Sequence, residues 1–181
     1  MKRLFALFLV LCTCNAVIFS LSSCGEGEIE EKTEAPTAAP LPEGVADASL
    51  IDAVKEGMTR EQIRDVFGVE PTKYDGEYDK ADVYILSGSR AAYIEYTEDE
   101  AMRAMTVEET VAPSQIDQIK IGDSYKAITD VFGVKGTNTV AVYLGVYRYV
   151  LEDGRLLYIY YDERKSACSI SIQSAGGEGT Y

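Results

Sequence analysis

The sequence contains the same segment twice, 65 residues apart and without a gap. Residues 51–107 align with residues 116–172, and 19 of the 57 aligned positions are identical. The run Asp-Val-Phe-Gly-Val at 65–69 recurs letter for letter at 130–134. A match of this length indicates a duplicated structural unit. Duplicated small units usually build an extended surface that binds a partner, so the repeat favours a binding protein over an enzyme with one buried pocket.

Each copy is predicted to begin with two helices. A short apolar segment stops at Gly57 or Gly122, and a second helix starts after Thr59 or Ser124, which are good N-caps. Gln62 completes a capping box with Thr59. An apolar stripe at i, i+3 and i+4 follows; its members are Ile63, Val66 and Phe67, and again Ile128, Val131 and Phe132. Glycines stand where left-handed C-caps are expected, at Gly68 and Gly133.

The rest of each copy is rich in tyrosine and β-branched residues and predicts strands. They are expected near 73–78, 81–87, 91–97 and 102–108, and again near 138–143, 146–152, 156–162 and 167–173. The predicted fold class is therefore α+β. Two tandem repeats are expected, each a helix-turn-helix packed on a three- or four-stranded antiparallel sheet.

Strand alternation predicts which residues face the helices. One side of the third strand is expected to cover the apolar helix stripe; it carries Ala92, Ile94 and Tyr96, and again Leu157, Ile159 and Tyr161. The other side is expected to face solvent or a partner, and carries Tyr93, Glu95, Tyr158 and Tyr160. The alternatives are an inverted alternation, or a face covered by the other repeat. Cys168, Ile170 and Ile172 are spaced by two residues, so they are expected on the same face of a strand. Cys168 is therefore expected to be a buried, inert thiol.

The N-terminus has the pattern of an export signal. Lys2 and Arg3 precede a mostly apolar stretch at 4–19, and Leu-Ser-Ser-Cys follows at 21–24. This tetrapeptide resembles the lipobox of bacterial lipoproteins. The resemblance implies cleavage before Cys24, a lipid on its sulfur, and an anchor at the extracytoplasmic face of the cell membrane. The alternatives are an uncleaved signal anchor, or a secretory signal with a coincidental cysteine.

Composition suggests how the remaining chain is divided. Residues 1–23 are assigned to the signal peptide, and residues 24–46 to the lipidated cysteine and a disordered acidic tether. Repeat 1 is placed at 47–112, repeat 2 at 113–175 and a flexible tail at 176–181. The formal net charge of −13 argues against nucleic acid as a partner, because nucleic-acid binding needs basic patches.

The sequence offers little for catalysis. It contains no histidine, which removes the commonest general base and the commonest zinc ligand together. Serine-nucleophile motifs are absent, and Cys168 would be the one free thiol after signal cleavage and lipidation. Carboxylates such as Glu98 and Glu163 are interpreted as solvated loop acids. We therefore expect no enzyme activity, no cofactor and no metal.

The segment Gly-Met-Thr-Arg-Glu-Gln-Ile at 57–63 is similar to the helix-turn-helix opening of the β-lactamase inhibitory protein family. The same element opens the small lipoprotein of the outer-membrane β-barrel assembly machinery. The duplication resembles the inhibitor more closely, which implies a concave, aromatic-rich binding surface. Two features depart from that family: the turn at 87–90 has no acid to mimic a substrate carboxylate, and the mature chain can form no disulfide. The second-copy turn, with Asp153, is acidic.

These observations predict a lipid-anchored, non-catalytic protein-binding module with an unidentified extracytoplasmic partner. The hypothetical binding residues are Tyr93, Glu95, Tyr158, Tyr160 and Asp153. One alternative is a structural role in envelope assembly. A less favoured alternative is inhibition of a β-lactamase or cell-wall enzyme.

Overall fold

The computed structural model describes residues 40–76, 80–139 and 145–176. Four helical segments lie in these ranges: a 3₁₀-helix at Ala48–Ala53, α1 at Arg60–Phe67, a second 3₁₀-helix at Pro113–Gln118 and α2 at Tyr125–Phe132. The strands are β1 Thr72–Asp75, β2 Lys80–Leu86, β3 Arg90–Tyr96, β4 Met102–Val111, β5 Thr137–Asn138, β6 Gly145–Leu151, β7 Leu156–Tyr161 and β8 Ala167–Gln173. The predicted signal peptide, Cys24 and the predicted tail after residue 176 lie outside the described residues.

The two α-helices begin and end as the sequence predicts. The Thr59 hydroxyl accepts a hydrogen bond from the Gln62 backbone, and the Gln62 side chain accepts one from the Thr59 backbone, at 3.3 and 2.9 Å. Ser124 caps α2 by accepting from the Ala127 N–H at 3.2 Å. Both helices end at glycines with left-handed backbone, Gly68 and Gly133. The repeated residues therefore form the same local structure in both copies.

The predicted helix-turn-helix is wrong, because the first segment of each copy is a 3₁₀-helix of six residues. The C-cap of the first one, Val54, has an extended backbone with a ψ of 130°. The second begins at Pro113, and its C-cap, Ile119, is also extended. A segment this short closes too few i to i−4 hydrogen bonds to repay the cost of starting an α-helix.

The strands do not form two separate antiparallel sheets, which corrects the predicted fold class. One mixed sheet runs in the order β1-β2-β3-β4-β6-β7-β8, with β5 paired to β6, and it curls into a half-barrel. The link between the copies is a parallel pairing of Thr110 with Val150 and of Val111 with Leu151. β4 extends beyond the predicted end at 108 to Val111, whose carbonyl accepts a hydrogen bond from the Glu152 N–H of the second copy at 3.1 Å.

The first copy has a matching short pairing at its own edge. Ala46 lies 65 residues before Val111 and pairs in parallel with Leu86. Its N–H donates to the Ile85 carbonyl at 2.8 Å, and its carbonyl accepts from the Ser87 N–H at 2.9 Å. Ala46, which the sequence assigned to the tether, is buried. It closes the edge of β2 as Val111 closes the edge of β6.

Three apolar clusters hold the sheet. The first two lie between the sheet and the helical segments of each copy, and the phenylalanines of the duplicated run anchor them. Phe67 packs on Tyr84 with ring centres 4.7 Å apart, and Phe132 packs on Tyr149 at 4.9 Å. The third cluster covers part of the opposite face and joins the two copies, because Tyr93 of β3 belongs to it together with β6 and β7 residues.

Candidate partner-binding surface

The alternation predicted for β7 agrees with the structure. Leu157, Ile159 and Tyr161 are buried in the cluster that includes α2. Tyr158 and Tyr160 point to the other side of the sheet and are half-buried. β8 continues this side, where Ser171 is in register with Tyr158 and Ser169 with Tyr160. The face therefore presents two tyrosines with serines on their β8 side, while on the β6 side Tyr158 is in register with Arg148.

Tyr93 does not face solvent, so that prediction is wrong. Its side chain is 8 % exposed and lies in the third cluster. The guanidinium carbon of Arg148 is 3.4 Å from the centre of its ring, and Arg148 also forms an ion pair with Glu108 of β4. Arg148 of β6, in the second copy, therefore covers Tyr93 of β3, in the first copy. Cover by the other repeat is one of the alternatives that the sequence left open.

A second contact between the copies joins β1 to the turn between β6 and β7. The Tyr74 hydroxyl donates to the Gly154 carbonyl in the turn between β6 and β7, at 2.7 Å. Gly154 has a φ of +82°, and a Cβ there would lie 2.3 Å from the Thr72 hydroxyl oxygen. Glycine is thus required both by the turn and by the close approach of β1. Part of the sheet face opposite the helices is therefore filled by the chain itself.

Glu95 lies at the border of the remaining surface. It is half-buried, and its carboxylate is 3.4 Å from the Arg103 guanidinium. Arg103 is the extra residue of a β-bulge, because Glu95 pairs with Ala104 while Tyr96 pairs with Met102. Glu95 therefore contributes a partly neutralised charge rather than an isolated one.

Cys168 is exposed, and the prediction of a buried thiol is wrong. A bulge at the start of β8 is the reason: Tyr160 pairs with Ser169 and Tyr161 with Ala167, so Cys168 is the inserted residue. Ala167 takes the buried position instead. The Cys168 sulfur donates to the Tyr160 carbonyl at 3.3 Å. Cys168 is the counterpart of Arg103 in the duplication, so both copies have a bulge at the same position.

Asp153 stands on the exposed β6–β7 turn. Its carboxylate is 2.7 Å from the Arg155 guanidinium and also accepts from the Arg155 backbone. Partial burial would raise the pKa of Asp153, but the Arg155 hydrogen bonds outweigh it and hold that pKa below its usual value. Asp153 also lines a shallow cleft with other acids, among them Glu70 and Glu152. It is accessible, but its charge is paired within the turn.

A buried polar cluster under α1 was missed by the sequence analysis. Asp82 is fully buried, 3.5 Å from the Arg60 guanidinium, and Arg60 also pairs with Asp75 at 2.6 Å and stacks on Tyr96. Burial raises the pKa of Asp82 above its usual value, against the opposing effect of Arg60. This carboxyl is shielded from solvent.

The duplication contains the signal for this cluster. The second-copy counterparts of Arg60, Asp82 and Tyr96 are all tyrosines. Their rings pack together, with ring-centre distances from 4.7 to 5.6 Å. They are Tyr125, Tyr147 and Tyr161. Comparison of the aligned positions would have shown that Arg60 and Asp82 change together.

Among the described residues, no three or more histidine, cysteine, aspartate or glutamate side chains are arranged so that they could hold a metal ion. Among the helices of those residues, none is long and apolar enough to cross a membrane. No protein-family model matches the sequence, and no curated protein matches it.

Proposed function

We propose that the chain is a non-catalytic protein-binding module, held at the extracytoplasmic face of a cell membrane by a lipid on Cys24. The partner contacts Tyr158 and Tyr160 of β7. The observation that carries this proposal is that these two tyrosines are only half-buried on the sheet face opposite the helices, where Tyr158 also packs against the third cluster. Tyr93, the first-copy counterpart of Tyr158, is instead covered by Arg148, so the binding surface belongs to the second copy.

The chemistry of this face suits a protein partner. Tyrosine offers a large, rigid contact area with a polar tip, and it is enriched at interfaces. Ser169 and Ser171 beside the rings carry no charge that would have to be desolvated on contact. The formal net charge of −13 favours a partner with a basic surface, because opposite charge speeds association.

A binding role also agrees with the chemistry that the chain has available. The sequence has no histidine, and Asp82 is fully buried. A carboxyl with a perturbed pKa marks an active site only when it lies in an accessible cleft. Asp82 is better explained as a structural group of the first copy.

The proposal is tested by affinity capture with the full chain from the host's own envelope extract. Tyr158→Ala and Tyr160→Ala should each weaken binding of the captured partner by about 2 kcal/mol, which is roughly thirtyfold in Kd. Lys126→Ala is the control, since Lys126 is exposed on α2, on the other side of the sheet. If both tyrosine variants keep their fold and bind as well as the unchanged chain, the assigned surface is wrong.

The same capture separates the alternatives. A structural role in envelope assembly would require the partner to be a component of an assembly complex. An inhibitory role would rest on Asp153, whose carboxylate is bonded to Arg155 and is therefore a weaker mimic of a substrate carboxylate. Asp153→Ala would abolish capture under that alternative and leave it nearly unchanged under the proposed function.

A further inference from the structure

β8 is an edge strand of the sheet that the described residues form. Within the described residues it pairs with β7 alone, and on the outer side the Ala167 backbone is bonded to Asp123 and Gly122. The opposite edge of the sheet is different. β1 has four residues, and Lys73 and Asp75 give it charges of both signs.

Edge strands of soluble proteins are normally protected by charged residues, proline or a bulge. The seven residues of β8 include no charge and no proline, and the bulge at Cys168 lies at its start. Two large apolar side chains are exposed beside this edge: Ile172 is 42 % exposed and Ile121, next to Gly122, is 67 % exposed. In a chain of net charge −13, this neutral, apolar edge is unusual.

The duplication shows how the first copy is joined to the next. β4, the counterpart of β8, pairs with β6 through Thr110 and Val111, whose counterparts at 175 and 176 follow the last residue of β8. Addition of a second molecule in the same head-to-tail manner would use β2 as the incoming strand. That edge of β2 is already occupied by Ala46 of the same chain. Head-to-tail growth is therefore blocked.

We propose that β8 pairs antiparallel with β8 of a second copy of this chain, about a twofold axis. The strand is suited to pair with itself, because side chains keep their face across an antiparallel pair. Ile170 and Ile172 of the two copies then lie together on the helix side, and Ser169 and Ser171 lie together on the other side. A twofold dimer is the commonest closed assembly, and it removes both exposed edges at once.

The mass of the full chain is measured by sedimentation equilibrium in density-matched detergent. A concentration-dependent dimer is expected. Ile172→Lys should weaken it at least about tenfold, because it places two like charges near the axis and removes apolar contact. Val107→Lys is the matched control: Val107 is the counterpart of Ile172 and is 39 % exposed on β4. Ser169→Lys is a second variant in case Ile172→Lys fails to fold.

Hydrogen exchange then locates the interface. Amides of 167–173 should exchange at least about tenfold more slowly at high protein concentration than at low, while those of 102–111 should not change. A chain that is monomeric at all concentrations overturns the proposal and leaves the edge for a strand of another protein. A dimer that persists in Ile172→Lys and Ser169→Lys, or that leaves β8 unprotected, also overturns it.

Discussion

The guanidinium carbon of Arg148 lies 3.4 Å from the centre of the Tyr93 ring, and the two residues belong to different copies of the duplicated segment. Arg148 is buried, and the side chain of its ion-pair partner, Glu108 of β4, is 9 % exposed. The positions equivalent to Arg148 and Glu108 are Val83 and Gln173, neither of which is charged, so this ion pair has no counterpart in the duplication. Arg148 therefore joins β6 of the second copy to β4 of the first and covers Tyr93.

Arg148→Ala should destabilise the fold by about 3–5 kcal/mol, because it leaves the Glu108 carboxylate buried without its cation. Urea unfolding measures the loss. The double variant Arg148→Met with Glu108→Leu should recover much of it, since well-packed apolar residues can replace a buried ion pair. Arg155→Ala, which removes an exposed pair with Asp153, should cost less than about 1 kcal/mol. Equal losses for Arg148→Ala and Arg155→Ala would contradict the structural role of Arg148.

The two phenylalanines of the repeated run should be equally important. Phe67→Ala and Phe132→Ala should each cost about 3–5 kcal/mol, because each ring is buried and packs on a tyrosine of the sheet. Thermal or urea unfolding of the two variants gives the values. Val66→Ala, at a half-buried position of the same helix, is the milder control. A loss below about 1 kcal/mol at either phenylalanine would mean that its helix does not depend on that packing.

Local structure could be predicted because its determinants are local. Thr59 and Gln62 make their capping box within one helical turn, and Gly68 itself adopts the left-handed conformation that ends α1. The strands β2 to β4 and β6 to β8 fall close to the predicted ranges, because tyrosine and β-branched residues alternate between turn residues. Most of the strand predicted near 138–143 lies outside the described residues. The 3₁₀ character of the first segments was not predicted, since apolar spacing alone does not distinguish a short 3₁₀-helix from one turn of α-helix.

The candidate site was harder to predict because it depends on contacts between the copies. Nothing near Tyr93 in the sequence shows that Arg148 covers it, since 55 residues separate the two. The bulge at Cys168 reverses the alternation that predicted burial. The parallel pairing of Val111 with Leu151 also joins residues that are far apart in the sequence. Periodicity assigns faces within a strand, but it does not say what packs on each face.

Asp82 should make stability depend on pH in a recognisable direction. Its pKa is raised by burial, so the folded chain binds more protons than the unfolded chain between the usual value of 3.8 and the raised value. The contribution of Asp82 to stability is therefore present in acid and is lost as pH rises through that window. The difference in unfolding free energy between the unchanged chain and Asp82→Asn, measured by urea unfolding at several pH values, should fall with rising pH.

Asp75 provides the control of opposite sign. The hydrogen bond from Arg60 lowers the pKa of Asp75, so its contribution is present above 3.8 and is lost as pH falls through the lowered value. The same difference measured for Asp75→Asn should therefore rise with pH. Its size should be small, because the Asp75 side chain is more than half exposed. A flat profile for Asp82→Asn would show that burial does not control that carboxyl.

The proposed membrane anchor is tested at Cys24, which precedes the described residues. Cys24→Ala should move the protein from the membrane fraction to the soluble fraction, or leave it unprocessed. Stable anchoring requires two acyl chains, which the alanine variant cannot carry. The acidic segment after Cys24 has no affinity for anionic lipid that could replace them. Cell fractionation measures the distribution, and mass spectrometry of the N-terminal peptide measures the acyl mass. Cys168→Ala is the matched control and should stay in the membrane fraction, since Cys168 lies in the sheet. A Cys24→Ala protein that is still cleaved and still membrane-bound would show that something other than this cysteine holds it there.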